Sequence, residues 1–384
     1  MNFHFIFAGI IIQVLASSCS RPQLAPELVP DKDAHWFKLP TEDYKGKQDD
    51  IHFVDGNLGF YVNGQGKIYR SQDGGLSWQL SFHQSGTYFR AIGMVDAQHG
   101  FVGNIGTEYF PGVTDTHPLY ETHDGGSSWK KVGNLPGPPV KGICAIDIIR
   151  TKFIDAGVLK ERTLIHAGGR VGGPAYLLRS LDGGRNWQNI DLSRWAPMVV
   201  DVQFFDEMNG IVFAGTDSAI EKSRALIIAT QDGGVTWKKV YEGKRHYELT
   251  WKGSFPTRTT GYATIQNYNP DQKESQRWIV KTTDGGKTWI ELPLVNDAGL
   301  REFGIGFANS QLGWVGTNKG GFETRDGGQS WKKIQLGRHV NKIRILPQDQ
   351  GFIGFAIGAD VYKFAPAMHQ VQPDNGEVMP LSKP

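Results

Sequence analysis

From about residue 48 the chain repeats one pattern of apolar and polar positions. An apolar run such as DIHFVD (50–55) is followed by a glycine-led run, LGFYVNG (58–64). A third run ends in a polar turn, KIYRSQDGG (67–75), and a fourth opens on tryptophan, LSWQLSF (76–82). Each run is too short for a helix, and Gly, Asp, Asn and Ser cluster between them, which predicts short strands joined by tight turns. Four consecutive antiparallel strands form one compact unit, and long helical runs are hard to find.

The polar turn recurs as RSQDGGLSW (70–78), ETHDGGSSW (121–129), RSLDGGRNW (179–187), ATQDGGVTW (229–237), KTTDGGKTW (281–289) and ETRDGGQSW (323–331). Its aspartates, Asp73, Asp124, Asp182, Asp232, Asp284 and Asp326, are spaced 51, 58, 50, 52 and 42 residues apart by subtraction. Periods of this length signal a propeller or solenoid array. After the sixth copy three more strands remain, in VNKIRILP, QGFIGFAIG and ADVYKF, and the fourth is found at the other end of the chain. HWFKLP (35–40) reads against SWKKIQ (330–335), with Trp36 matching Trp331. The expectation is an all-β, seven-bladed β-propeller of four antiparallel strands per blade, its last blade closed by the N-terminal strand, so that the array has no open ends.

The repeated turn explains itself structurally. Asp at a turn start accepts bonds from backbone N–H groups ahead of it, Gly-Gly supplies positive φ, and Ser or Thr adds a second bond. The tryptophans Trp78, Trp129, Trp187, Trp237, Trp289 and Trp331 open the next strand. Each ring buries about 150–250 Å², an upper bound of roughly 4–6 kcal/mol. Calcium needs six to eight oxygens where each turn offers one Asp, and phosphate loops open helices where these turns join strands. Six joints are expected here, not six ligand sites.

This motif is the Asp-box, or BNR repeat, and only the third copy departs from it, with Asn186 where Ser or Thr is usual. The whole-chain pattern, with segments such as VDAQHGFVGN and ANSQLGWVGTNKGGF before the boxes, resembles the photosystem II stability/assembly factor-like family. The resemblance covers the propeller, residues 35–364, through scaffold motifs. It implies a seven-bladed, exported, non-catalytic protein that binds a protein or membrane-protein complex, with a basic patch on the partner face. Bacterial sialidases and other glycoside hydrolases share the box, so an exo-acting glycosidase is the alternative.

Composition narrows the choice. A formal net charge of +2 over 384 residues gives no electrostatic case for nucleic acid. The two cysteines, Cys19 and Cys144, form no zinc spacing, and Cys144 in GICAIDII reads as a buried hydrophobe. The 11 histidines are scattered, without HExxH or paired metal spacing, so neither metal nor cofactor is expected. Residues 5–16, FIFAGIIIQVLA, suit the apolar core of a secretory signal rather than a membrane span. With Ala16-Ser17-Ser18-Cys19 they resemble a lipoprotein signal, although Ala16 stands where leucine is usual. The expected order is a signal peptide (1–19) lipidated at Cys19, a Pro-rich tether (20–34), the propeller, and a polar tail (365–384). That places an exported monomer in the periplasm or cell envelope, touching membrane only through its lipid.

Long loops at 104–118, 215–224 and 267–277 fall on the face opposite the boxes. Cations at the starts of the inner strands, Arg90, Lys141, Arg245, Arg301 and Arg338, are the candidate partner-binding residues. For the glycosidase alternative, Asp201, Glu248 and Glu302 lie near inner-strand starts as a candidate acid pair. No sialidase-type Arg-Ile-Pro signature precedes the first box, and KIRILP (342–347) reads as a strand.

Overall fold

The computed structural model describes residues 34–271, 273–349 and 351–366; the expected signal, Cys19, the tether except Ala34, and most of the tail lie outside them. Among the described residues, strands form seven four-stranded antiparallel sheets and no helix is present. Blades 1 to 6 follow chain order at 48–83, 89–131, 145–191, 201–242, 248–296 and 302–334. Blade 7 takes three strands from 342–366 and its outer strand from Ala34–Leu39. The ring therefore closes as expected, with Trp36 opposite Phe364 and Leu39 opposite Val361. The paired region begins one residue earlier and ends two residues later than the sequence reading placed it. Trp36 also packs edge-on against Trp314 of blade 6 at 5.5 Å, so the closing strand is held by its neighbour as well as by its own sheet.

Burial follows the four-strand pattern. The three inner strands of a blade are covered on both faces, as in Phe89–Met94 and Gly100–Asn104, and read as near-continuous apolar runs. The outer strands, such as Gln79–His83, are largely exposed. Rings clamp adjacent blades together: Phe53 stacks on Phe355 at 3.6 Å, His166 on Phe204 at 3.6 Å and Tyr262 on Phe307 at 3.5 Å.

The six Asp-Gly-Gly turns share one geometry. In the fourth, Thr230 Oγ1 donates to Asp232 Oδ1 at 2.8 Å and accepts from Gly234 N at 2.8 Å. Thr236 then donates its amide to Oδ1 at 2.9 Å and its hydroxyl to Oδ2 at 2.5 Å. In the third turn Asn186 makes the same two bonds, its amide to Asp182 Oδ1 at 2.9 Å and Nδ2 to Oδ2 at 2.7 Å. The departure from Ser or Thr is thus chemically silent. These bonds hold Asp73, Asp124, Asp232, Asp284 and Asp326 down at about 2.

The second glycine of each turn does more than bend the chain. At Gly126 (φ +84) a Cβ would meet Phe60 of blade 1 at 2.8 Å, and at Gly184 (φ +92) Phe101 of blade 2 at 2.5 Å. The turn therefore also seats each blade against the one before it. The tryptophans are less uniform than the sequence suggested. Trp129, Trp237 and Trp289 are buried, whereas Trp78, Trp187 and Trp331 are half-buried.

The first glycine amide bonds to the hairpin between the first two strands of its blade in five of the six turns, as Gly125 does to Gln98 O at 2.9 Å, and in the third Gly183 bonds to Thr163 O within the longer second strand. Turns and hairpins thus share one face of the disc, the box face. The long loops 105–118 and 216–224, the described residues 268–271 and 273–275 of the third, and the blade-to-blade links occupy the other, open face. The hairpin of blade 3, Ala145–Asp155 with Val158–Gly169, is much longer than the others and overhangs the box face. Ala34 is the register partner of Pro366, so both described ends leave from the box face too.

Candidate functional site

The first strands of the seven blades line the central channel, and their polar residues meet in two layers. At the open-face end Arg90 (blade 2) pairs with fully buried Asp49 (blade 1) and stands 5.4 Å over the Trp251 ring (blade 5). Lys47 lies 3.3 Å from the same carboxylate. Asn341 (blade 7 entry) joins this layer, its Nδ2 donating to Asp49 O at 2.8 Å and its Oδ1 accepting from Lys47 Nζ and Trp251 Nε1, both at 3.2 Å. Burial lowers the Lys47 ammonium to about 7, Arg90 adds to that, and Asp49 partly restores it.

Deeper, Asp201 (blade 4) accepts from Lys252 (blade 5) and Lys342 (blade 7), each at 3.3 Å. Burial would push Asp201 up, but the two ammonium groups outweigh it and hold the carboxyl below its usual range. Asp50 behaves likewise, with Arg344 Nη2 at 3.1 Å. Asp147 does not: burial raises it to about 7, and the Asp201 charge adds to the rise. Together Asp147, Asp201, Lys342 and Arg344 line a cavity of about 230 Å³.

The five cations chosen from sequence separate here. Arg90 is buried and paired inside the channel, so it is no surface contact; a partner would have to break a charge pair already out of water to reach it. Arg245 is mostly covered, held by Glu248 at 2.7 Å and Glu291 at 3.0 Å and lying 5.3 Å over Trp278. Lys141 is exposed and reaches Glu108 at 2.8 Å. Arg301 and Arg338 are exposed, and the Arg301 guanidinium lies 4.4 Å over the Tyr268 ring. On the same face Tyr88 stacks on Phe110 at 4.4 Å and Tyr109 packs edge-on to Phe110 at 4.8 Å, which makes a shelf of aromatic rings around the channel mouth.

The three acids are not brought together as one open pair. Asp201 is spent on two lysines. Glu248 is buried; its Oε1 accepts from Arg245 and, at 2.9 Å, from Asn267, and burial raises its carboxyl. Glu302 is fully buried, both oxygens lack a hydrogen-bond partner among the described residues, and burial raises it to about 8. Sequence spacing could not reveal Lys47, Asp49, Asp50, Lys252, Asn341, Lys342 or Arg344 as channel residues. They look like ordinary strand-end charges until the ring closes.

No family model and no curated protein matches this chain. Solved structures do. YCF48 bound to a D1 peptide is 15% identical with a TM-score of 0.59, covering 89% of this chain and 99% of that one. YCF48 from Cyanidioschyzon merolae is 17% identical with a TM-score of 0.58, covering 86% and 99%. A GH74 enzyme from Niastella koreensis is 16% identical with a TM-score of 0.53, covering 83% of this chain and 52% of that one. At such identities the likeness is one of propeller fold.

Proposed function

We propose that this chain is a non-catalytic Asp-box scaffold of the cell envelope that binds an extended, acid-bearing segment of a protein partner on its open face. The observation that carries this is the exposed Arg301 guanidinium stacked on Tyr268, beside exposed Arg338 and the Tyr88–Phe110–Tyr109 shelf. Planar guanidinium groups bind carboxylates in fork geometry, and aromatic shelves bury side chains at little entropic loss. A structural neighbour that covers nearly its whole length with this chain, YCF48, was solved with a D1 peptide, which supports a peptide-binding role for a ring of this size. The leader-like run 5–16 and Cys19 support export and lipid anchoring.

The test is photo-crosslinking in envelope fractions, with the label at Tyr109, of wild type beside an Arg301→Glu/Arg338→Glu variant. Both arginines are exposed, so the fold should survive, as circular dichroism would verify. A partner captured by wild type and lost in the variant is the expected result. Equal capture by both would overturn the placement of the site.

One observation favours glycoside hydrolysis as a second reading. Glu302, near 8, carries a proton at neutral pH, as a general acid must. Its complete burial opposes this reading. Turnover of an oligosaccharide panel by wild type, abolished in Glu302→Gln, would replace the scaffold with the enzyme.

A further inference from the structure

The sequence shows no paired histidine spacing, yet the fold makes a pair across two strands of blade 2. Phe101 opposes Glu121 and Gly100 opposes Thr122 in the antiparallel register. Continued by one residue, that register sets His99 against His123 just outside the paired segment, and alternation puts Glu121 on the same face as His123. The rings stack with centroids 4.4 Å apart and planes 19° from parallel. Both Nε2 atoms turn toward one oxygen: His99 Nε2 lies 2.7 Å and His123 Nε2 3.1 Å from Glu121 Oε1. The donor atoms of the three residues all fall within 4.8 Å of one another.

We infer that His99, Glu121 and His123 form a binding site for a borderline divalent metal ion of the zinc type. Zinc takes nitrogen and carboxylate oxygen at about 2.0–2.2 Å, so neighbouring donors of a tetrahedral site stand about 3.3 Å apart. The His123–Glu121 separation of 3.1 Å is already within a few tenths of an ångström of that spacing, and the His99–Glu121 separation of 2.7 Å has to open by about half an ångström. Two imidazoles and one carboxylate favour zinc, copper or nickel over magnesium or calcium, which prefer all-oxygen sets. Three protein donors leave a tetrahedral ion one position for an outside ligand. That position faces room: the same three residues line a cavity of about 790 Å³ between blades 2 and 3, with Arg162 and Glu161 on its other wall, on the overhanging hairpin. His99 is fixed by the hairpin turn, its amide bonded to Asp96 Oδ1 at 2.9 Å, while His123 is largely exposed and free to swing onto an ion.

The site is on the box face, away from the proposed partner surface, and stands independently of it. The experiment is calorimetric titration of the full chain with Zn²⁺ at pH 7.5, beside His123→Ala and a His99→Gln/His123→Ala double variant. One equivalent should bind wild type. Affinity should fall by more than about tenfold in His123→Ala, since even outer-shell partners are worth 10–100-fold. Copper loaded in place of zinc should show electron paramagnetic resonance coupling to two nitrogens in wild type and to one in His123→Ala. One-equivalent zinc binding retained by the double variant, or no binding by wild type, would overturn the site.

Discussion

Asp232 on the box rim and Asp201 in the channel are both held ionised, by unlike means. Asp232 is satisfied by its own turn, through bonds to residues two to four positions away and without a counter-ion. Asp201 is buried and depends on Lys252, 51 residues on, and Lys342, 141 residues on. A local hydrogen-bonded carboxylate asks nothing of the rest of the ring. A buried ion pair exists only after blades 4, 5 and 7 have assembled, and it leaves unpaired charge behind if any member is lost. The rim is therefore six repeats of one self-sufficient solution, and the channel is a single solution shared by the whole ring.

The sharpest way to break this comparison is Asp201→Asn. It keeps the shape and removes the carboxylate that buried Lys252 and half-buried Lys342 share, so urea unfolding should show a loss of about 3–5 kcal/mol. A loss no larger than that of Asp232→Asn would mean that the channel charges are as dispensable as those of the rim.

A middle-sized effect concerns pH, where the rim carboxyls and two buried acids, Asp147 and Glu302, pull in opposite directions. The rim carboxyls near 2 lie below their unfolded value of about 3.9, so their stabilisation is full above pH 4 and is lost as pH falls toward 2. Asp147 near 7 and Glu302 near 8 lie above their unfolded values. As pH rises from 4 the unfolded chain releases those protons first, so these two groups lower stability up to pH 7–8. Melting temperature against pH should therefore fall on both sides of a maximum, and Glu302→Gln should flatten the alkaline limb while leaving the acid limb alone. A variant that shifts the acid limb would contradict the assignment. The smallest effect sharpens the rim: Asn186→Ser should change stability by less than about 0.5 kcal/mol, because Nδ2 already stands in for the hydroxyl bond to Asp182 Oδ2 and the backbone amide keeps its own bond to Oδ1.

The same contrast explains what could be read from sequence. The turn motif, the four-strand period and the closing strand depend on residues adjacent in the chain or on a repeat that can be counted, and blade number and closure followed from them. The channel depends on contacts such as Arg344 to Asp50, 294 residues apart, which no local pattern encodes. Arg90 reads as a surface cation because an arginine at a strand start looks the same whether or not an aspartate from the previous blade waits beside it. His99 and His123 show no pairing in the sequence for a related reason: cross-strand neighbours are set by register, and the two stand 24 positions apart by subtraction. A hairpin register drawn out residue by residue would have found that pair. Nothing short of the closed ring would have found the channel.

The pairing of Ala34 with Pro366 has a practical side. The ring is held, at both described ends, by one spot on the box face. Any anchor, fusion or surface coupling attached there grips the disc from behind like a handle on a plate. The opposite face, with Arg301, Tyr268 and the long loops, is then presented outward. Two rings mounted this way on one surface would compete for partners only from solution and never from the layer beneath them.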